Sequence, residues 1–193
     1  ADLILHDSVF ARALKNNLLW TAGSLILMIG IGLMLALLLN KRIKGRIVFR
    51  SIFYFPYVLS GVIVATSWAW MYNPTQGFVN KLLETIGLES WTRAWLAEPE
   101  TALYAVFVAA LWQGVGQPMV LFLAGLQTIP HDPYEAAVLD GAKPYQSFWY
   151  ITFPLLRETL VIVVATTMIA SMKVYDIIYA MTGGGPAEST QVL

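Results

Sequence analysis

Four long stretches of the chain are almost free of charged residues, and each is long enough to cross a lipid bilayer. They are residues 18–39, 51–73, 101–129 and 155–181. At about 1.5 Å per helical residue, the first stretch reaches roughly 33 Å, enough to cross the hydrocarbon core of a membrane. A helix satisfies its own backbone hydrogen bonds, as a bilayer requires. The sequence therefore predicts an all-α fold, a polytopic membrane helix bundle, with residues 1–193 forming a single transmembrane domain.

The composition argues against several classes of soluble protein. Hydrophobic residues make up 58% of the 193 residues and charged residues 12%, about half of the roughly 25% that is typical of soluble domains. The formal net charge is zero, so there is no basic bias toward nucleic acid. Cysteine is absent, which removes disulfides, thiolate nucleophiles and cysteine metal sites. A soluble enzyme, a disordered chain and a nucleic-acid-binding protein are all disfavoured.

Basic residues predict how the chain is oriented in the membrane. Five of them crowd the short loop after the first span: Lys41, Arg42, Lys44, Arg46 and Arg50. By the positive-inside rule this loop is cytoplasmic. Alternation then places residues 1–17, 74–100 and 182–193 outside and residues 130–154 inside. A start on the outside predicts at least one earlier span that the 193 residues do not contain.

The outer loop, residues 74–100, carries a helical pattern of apolar residues. The residues that share this spacing are Phe78, Leu82, Leu83 and Ile86. The pattern predicts a short amphipathic helix that lies on the outer surface of the membrane.

The cytoplasmic stretch 131–154, here called the elbow, has well-specified local chemistry. Asp132 as N-cap with Glu135 three residues later predicts a capping box at the start of a helix. Gly141 is suited to end that helix in a left-handed conformation, and Pro144 to begin a second one. The sequence thus predicts a helix–glycine–helix elbow between two spans. Either it rests on lipid, or it docks into a groove on a soluble partner.

Residues that could contact a solute lie in the third and fourth stretches. Lys173 and Asp176 are the charges deep in the fourth stretch, three residues apart on one predicted helix face. Ionisable residues inside a membrane suggest function, although near the outer boundary a simple ion pair is also compatible. Four further residues are candidates for stacking on, or hydrogen bonding to, a sugar, with packing as the alternative: Trp112, Gln113, Tyr175 and Tyr179.

No catalytic or metal site is predicted. The sequence has no GxxxxGK[ST] phosphate loop, so the chain is expected not to hydrolyse ATP and not to be an enzyme. Its two histidines, His6 and His131, lack the spacing of metal ligands and are predicted to face different compartments.

The elbow carries a specific motif, and other stretches match it. The motif consists of Glu135-Ala136-Ala137, Asp140-Gly141-Ala142, Phe148, Ile151 and Pro154. It resembles the EAA loop of the permease subunits of binding-protein-dependent ABC importers. Three further stretches resemble the sugar-importer branch, of the maltose and glycerol-3-phosphate type: FYFPYVLSGVIVATSWAWMYNPTQGFVN (53–80), LFLAGLQTIP (121–130) and YDIIYAMTGGGPAEST (175–190). The resemblance extends from about residue 13 to the end.

The resemblance implies a mechanism and a set of partners. The elbow would fit a cleft on a cytoplasmic ATPase through Glu135, Ala136, Ala137, Asp140, Gly141, Ala142 and Phe148. Two ATPase subunits would bind ATP and Mg, while this chain would carry no cofactor. A second, usually different, permease would complete the pore in the membrane lipid, and an extracytoplasmic binding protein would deliver a sugar or related solute. The family also implies one more span after residue 193 and a bacterial or archaeal plasma (inner) membrane.

Three other functions remain compatible with the sequence. An ion-coupled secondary transporter would need no ATPase and no alanine-rich elbow. An ABC permease for a solute other than sugar would keep the elbow and differ in its solute path. A structural or assembly subunit would have no solute path.

Overall fold

The computed structural model describes residues 8–41 and 43–192, which form helices joined by turns and loops, with no strand among them. The predictions for residues 1–7, which include His6, and for Arg42 concern residues outside this range. Three helices, counted through short interruptions, are long and apolar enough to cross a membrane: Val9–Asn40, Ala102–Thr128 and Arg157–Thr182. If a further pair of helices, which are bent relative to each other, is counted as one crossing, the total is four.

The first crossing is a long helix with a local irregularity. It consists of α1 (Ser8–Gly23), a π-helical turn (Ser24–Met28) and α2 (Ile29–Asn40). The helix ends where Lys41 adopts an extended backbone. It begins well before residue 18, where the apolar stretch starts.

The second apolar stretch is divided into two helices, although the sequence predicts one span over 51–73. They are α3 (Arg46–Val58) and α4 (Gly61–Met71). The helices are bent by 100° relative to each other. Leu59 and Ser60 cause the bend, because both have extended backbones, with ψ angles of 146° and 138°.

The outer segment 74–100 is a folded loop built around one buried amide. It contains α5 (Phe78–Thr85) and a 3₁₀ turn (Glu89–Trp91). The Asn80 Nδ2 donates to the carbonyls of Pro74 and Arg93, at 3.1 and 2.9 Å. The Trp95 indole N–H donates to Asn80 Oδ1 at 2.7 Å. The amphipathic helix is therefore part of a cross-braced loop.

The third crossing packs closely against the first. It consists of α6 (Ala102–Gly114) and α7 (Gly116–Thr128), which meet at Val115. A Cβ on Gly32 of α2 would lie 2.6 Å from the Cβ of Pro118 on α7. The absence of a side chain at Gly32 thus allows α2 and α7 to approach each other, as small residues do in membrane helix pairs.

The elbow and the fourth crossing form the rest of the described chain. Their elements are α8 (Asp132–Leu139), α9 (Pro144–Ser147), a π-helical turn (Phe148–Thr152), α10 (Phe153–Leu155), α11 (Arg157–Met172) and α12 (Tyr175–Thr182). The loop after α12 is tied to α1, since the Asn16 Nδ2 donates to the carbonyls of Ser189 and Gln191, at 2.8 and 2.9 Å.

Two apolar clusters form the core. The first joins α2, α7 and α11 and includes Leu39, Phe122 and Val163. The second joins α1, α4, α6 and α12 and includes Trp20 and Val106. Large apolar side chains also cover much of the surface of the bundle, as expected where lipid or another subunit is the surrounding medium.

Candidate functional site

The turn of the elbow is a left-handed glycine stop. Gly141 has a φ of +72°, a region in which a Cβ is penalised. The Gly141 N–H donates to the Val138 carbonyl at 3.1 Å, and the Ala142 N–H to the Ala137 carbonyl at 2.9 Å. These two bonds form a Schellman motif, which satisfies the last carbonyls of α8. The helix ends where the sequence predicts that it should.

The second arm of the elbow begins immediately after this turn. Pro144 takes the first helical position of α9, which needs no N–H donor. The Gln146 Oε1 accepts a hydrogen bond from the Lys143 backbone N–H at 2.8 Å. The start of the first arm differs from the prediction. The N-cap is His131, so Asp132, the predicted N-cap, is instead the first helical residue. The His131 side chain makes no capping hydrogen bond to a described residue.

The two arms of the elbow are joined to each other and to the core. The Tyr134 hydroxyl and Thr152 Oγ1 lie 2.9 Å apart, within hydrogen-bond distance. Thr152 is buried, and Tyr134 packs on the first apolar cluster. The Phe148, Trp149 and Phe153 rings contact one another with centroid separations of 5.2 to 6.2 Å. The elbow is therefore a braced unit of the bundle.

The opposite surface of the elbow is exposed and partly apolar. Val138 is 73% exposed and Leu139 88% exposed. The predicted coupling residues Glu135, Ala136, Asp140 and Gly141 are exposed, whereas Ala137, Ala142 and Phe148 are half-buried. A shallow groove is lined by His131, Tyr134, Glu135, Val138 and Leu139. Small alanines beside exposed aliphatic residues form a surface that a partner can approach closely.

A partly open cavity of about 290 Å³, mostly apolar but with several polar side chains in its wall, lies between helices of the bundle. It brings together three of the sequence-predicted solute residues, Gln113, Lys173 and Asp176. Its wall also contains polar residues that the sequence analysis missed: Ser24, Tyr57, Gln117, Thr167 and Ser171. Their spacing could have identified some of them. Gln113 and Gln117, like Thr167 and Ser171, lie four positions apart, as neighbours on one helix face do.

Polar groups in the cavity wall lack hydrogen-bond partners in the described part of the chain. Ser24 is 1% exposed, and its Oγ is a buried oxygen with no partner in the described chain. Ser24 opens the π-helical turn of the first crossing, and such turns are frequent at functional sites. The Gln117 amide likewise has no hydrogen bond to any described residue. Buried polar groups normally have partners, so this wall is suited to a polar occupant.

Gln113 is already engaged. Its Nε2 donates to the carbonyl of Leu59 at 2.9 Å, at the bend between α3 and α4. Gln113 and Gln117 therefore differ, although both line the cavity.

The three remaining predicted solute residues lie outside the cavity. Trp112 is exposed and its ring meets the Trp68 ring edge-on, with a centroid separation of 5.9 Å. The Tyr175 and Tyr179 rings stack on each other at 5.2 Å and are both exposed, beside Gly183.

Lys173 and Asp176 do not share one continuous helix face as predicted. α11 ends at Met172, Lys173 and Val174 leave the helical path, and α12 begins at Tyr175. The ion pair found among residues 8–41 and 43–192 is the one between Arg93 and Glu98. Lys173 and Asp176 therefore do not form an ion pair with each other. Among the described residues, no cluster of His, Asp or Glu is suited to hold a metal ion.

Comparisons with known proteins agree on one family. The family model described as binding-protein-dependent transport system inner membrane component matches residues 28–193. A probable ABC transporter permease protein of Pyrococcus horikoshii is 39% identical over 194 residues, covering 98% of this chain and 65% of that protein. The trehalose/maltose transport system permease protein MalF of Thermococcus litoralis is 41% identical over 160 residues, covering 83% and 54%.

A solved structure shows the same fold. It is the crystal structure of a bacterial alginate ABC transporter in complex with an alginate pentasaccharide-bound periplasmic protein. One of its chains superposes with a TM-score of 0.86 and 26% identity, covering 98% of this chain and 65% of that chain. The chain thus spans less than two thirds of the length of the proteins named here.

Proposed function

Because the chain belongs to the family of binding-protein-dependent transport system inner membrane components, we propose that it is a permease subunit of an ATP-driven importer. Its apolar helices and this family make it a multi-pass membrane protein. The proposed importer takes up a sugar or related solute that an external binding protein delivers. The observation that carries the proposal is the braced elbow, which is exposed on one side and anchored in the core on the other.

The elbow connects two helices that contribute to the cavity wall. It follows α7, which contributes Gln117, and it leads into α11, which contributes Thr167 and Ser171. Because the Tyr134–Thr152 hydrogen bond joins its two arms, a force on the exposed surface moves both helices together. A partner that shifts the elbow would therefore change the shape of the cavity. This linkage is the basis of energy coupling in the proposed mechanism.

The proposed partner at the elbow is a cytoplasmic ATPase subunit. Glu135, Ala136 and Ala137 lie on α8, and the left-handed turn at Gly141 fixes where the second arm departs. Phe148, in the second arm, is half-buried, and its ring contacts those of Trp149 and Phe153. In the proposed importer, two ATPases bind ATP and Mg and hydrolyse the nucleotide, whereas this chain transmits the motion and is not itself an enzyme.

The proposed orientation follows from charge. Lys41, Lys44, Arg46 and Arg50 lie at the end of the bundle where α2 finishes, and the Arg50 Nη2 donates to the Leu39 carbonyl at 2.9 Å. Leu39 and the elbow residue Tyr134 belong to the same apolar cluster, so the basic loop and the elbow share one end. By the positive-inside rule, this end is proposed to face the cytoplasm. The proposed membrane is the plasma (inner) membrane of a bacterium or archaeon.

The solute class is supported by the cavity and by the relatives. Hydroxyl and amide groups from Ser24, Gln117, Thr167 and Ser171 offer both donors and acceptors, which suit the hydroxyl groups of a sugar. The Thermococcus relative is named for trehalose and maltose and the solved structure for alginate. An additional permease, usually a different chain, would complete the pore, with lipid around the pair and without nucleic acid.

A second candidate is an ion-coupled secondary transporter. The unpaired Lys173 and Asp176 in the cavity favour it, since intramembrane charges often relay protons. An ABC permease for a non-sugar solute is a further variant of the first proposal.

Reconstitution of the full-length permease with its ATPases, second permease and binding protein tests the proposal. We expect the ATPases to co-purify with the permease and the loaded binding protein to stimulate ATP hydrolysis. Substitution of exposed Ala136 by Trp in the docking surface should abolish this stimulation, whereas Lys81→Ala in the outer loop is the matched control. Solute uptake driven by an ion gradient without ATPases would contradict the proposal and support the secondary transporter.

A further inference from the structure

The bend in the second apolar stretch forms part of the cavity wall. Tyr57 and Gly61, which lie on either side of Leu59 and Ser60, both line the cavity. The 100° change of direction between α3 and α4 therefore sets where these two residues stand. Whatever stabilises the bend also shapes the cavity.

The bend interrupts the helical backbone hydrogen bonds across Leu59 and Ser60, and the Leu59 carbonyl is one of the acceptors that it affects. In a continuous helix the Leu59 carbonyl would accept from the Ile63 N–H, four residues on. Here it accepts instead from the Gln113 Nε2 at 2.9 Å. Inside a membrane an unpaired carbonyl is costly, so Gln113 supplies what the broken helix lacks.

A second arrangement would satisfy the same carbonyl. If α3 and α4 straightened, the Leu59 carbonyl would regain the Ile63 N–H and the Gln113 amide would be released into the cavity. The Leu59 carbonyl therefore has a partner in both arrangements. Elements with two alternative packings are the kind that conformational switches use.

We propose that Gln113 is a positioning residue, which holds the second span bent in one state of the transport cycle and releases it when α3 and α4 straighten. Its role differs from that of Gln117, whose amide has no partner in the described chain. The part played in transport rests on the proposed function, whereas the bond and the bend do not.

The packing around the bend holds α3 against the start of α7. A Cβ on Gly116 would lie 2.9 Å from the Cα of Tyr54, so α3 is in backbone contact with the start of α7. By contrast, nothing lies within 4 Å of a Cβ built on Gly61 at the start of α4, although Val64 and Ala65 of α4 are buried in the second apolar cluster. Straightening would therefore have to move α4 out of this packing while α3 keeps its contact with α7.

Distance measurements between spin labels test whether Gln113 holds the second span bent. The 193 residues contain no cysteine, so labels can be placed on Val48→Cys and Trp70→Cys, two exposed positions on α3 and α4 that do not line the cavity. Straightening should lengthen their separation by roughly 10 Å, from the rise per residue of the two helices. The measurement uses the assembled complex in lipid nanodiscs.

Gln113→Met, which keeps the side-chain length and removes the donor, should shift the population toward the long distance without solute or nucleotide. The ratio of long to short distances should rise about fivefold, the equivalent of one lost hydrogen bond. Gln117→Met removes a neighbouring amide and should leave the distribution unchanged. A Gln113→Met distribution identical to that of the parent would overturn the proposal.

Gly61→Pro tests whether the second span must straighten during transport. This test does not depend on the folding of Gln113→Met. Proline is tolerated at the first position of α4, but it excludes a helical conformation at the preceding Ser60, so it should lock the bend. Gly61→Ala is the matched control for the added side chain. The proline variant should keep the short distance when the loaded binding protein and ATP are added, and its uptake should fall at least tenfold below that of the alanine variant. Equal uptake in the two variants would overturn the proposal.

Failure of the importer assignment would give a different result. A longer distance in Gln113→Met, combined with a parent that does not respond to binding protein and ATP, would support the role of the bond and contradict the proposed function.

Discussion

The hydroxyl of Tyr134 lies 2.9 Å from Oγ1 of Thr152, so a hydrogen bond closes the elbow between its two arms. Tyr134 belongs to the first helix of the elbow and Thr152 to the π-helical turn of its second arm. The bond joins the two arms of the elbow into one unit, here called the lever. It also connects the surface proposed for the ATPase to the helices around the cavity.

Tyr134→Phe should weaken this lever without unfolding the bundle. Loss of one neutral hydrogen bond costs about 1 kcal/mol, and Thr152 Oγ1 retains a hydrogen bond to the Ser147 carbonyl at 3.4 Å. We expect a lower thermal midpoint and less transport per ATP hydrolysed. Thr152→Val and the double variant complete a double-mutant cycle. Strict additivity of the three stability changes would contradict a direct coupling between the two side chains.

Gly141→Val should impair the elbow more than any other single substitution in its turn. A β-branched residue at a φ of +72° is strained by roughly 1–2 kcal/mol and would redirect the second arm. Gly141→Asn is the matched control, since asparagine tolerates the left-handed region. Co-purification of the ATPases and solute uptake should be lost in the valine variant and largely retained with asparagine. Equal uptake in both variants would show that the left-handed turn is not needed.

Gln117→Leu should reduce solute affinity, because its free amide faces the cavity. Removal of a hydrogen bond to a bound sugar is expected to weaken apparent affinity about tenfold. Tyr175→Phe alters a ring that lies outside the cavity and should leave affinity near that of the parent. The concentration dependence of uptake measures both. If only the tyrosine variant lost affinity, the solute would bind at the stacked tyrosines instead.

Gly32→Ala should destabilise the protein, because its added Cβ would meet Pro118 at 2.6 Å. Overpacking of this kind costs about 1–3 kcal/mol. Gly30→Ala is a matched control two positions away, with nothing within 4 Å of its Cβ. Thermal unfolding in detergent should show a lower midpoint only for the Gly32 variant. Similar midpoints for both variants would mean that α2 and α7 do not pack as closely as described.

Local sequence signals predicted the elbow turn well. Gly141 and Pro144 each act on their own backbone, glycine through its access to positive φ and proline through its fixed φ. The end of α8 and the start of α9 therefore required no knowledge of the remaining fold. The N-cap lies one position before the predicted Asp132, which is the usual precision of helix ends, and the predicted capping box does not form among the described residues.

The sequence marked the bend at Leu59 and Ser60 only in part. Pro56 and Gly61 flank it, and such residues bend helices, but the partner of the Leu59 carbonyl is 54 positions away at Gln113. The break at Lys173 and Val174 has no glycine or proline beside it. The sequence therefore located Gln113, Lys173 and Asp176 without showing which of them are free.

Accessibility of the elbow tests the central proposal most directly. The 193 residues contain no cysteine, so Ala136→Cys on the exposed face of α8 provides a single reporter within them. A membrane-impermeant maleimide should label it only from the cytoplasmic side, and assembly with the ATPases should block labelling and allow a cross-link to them. Labelling from the outside, or labelling that the assembled ATPases leave unchanged, would contradict the proposal.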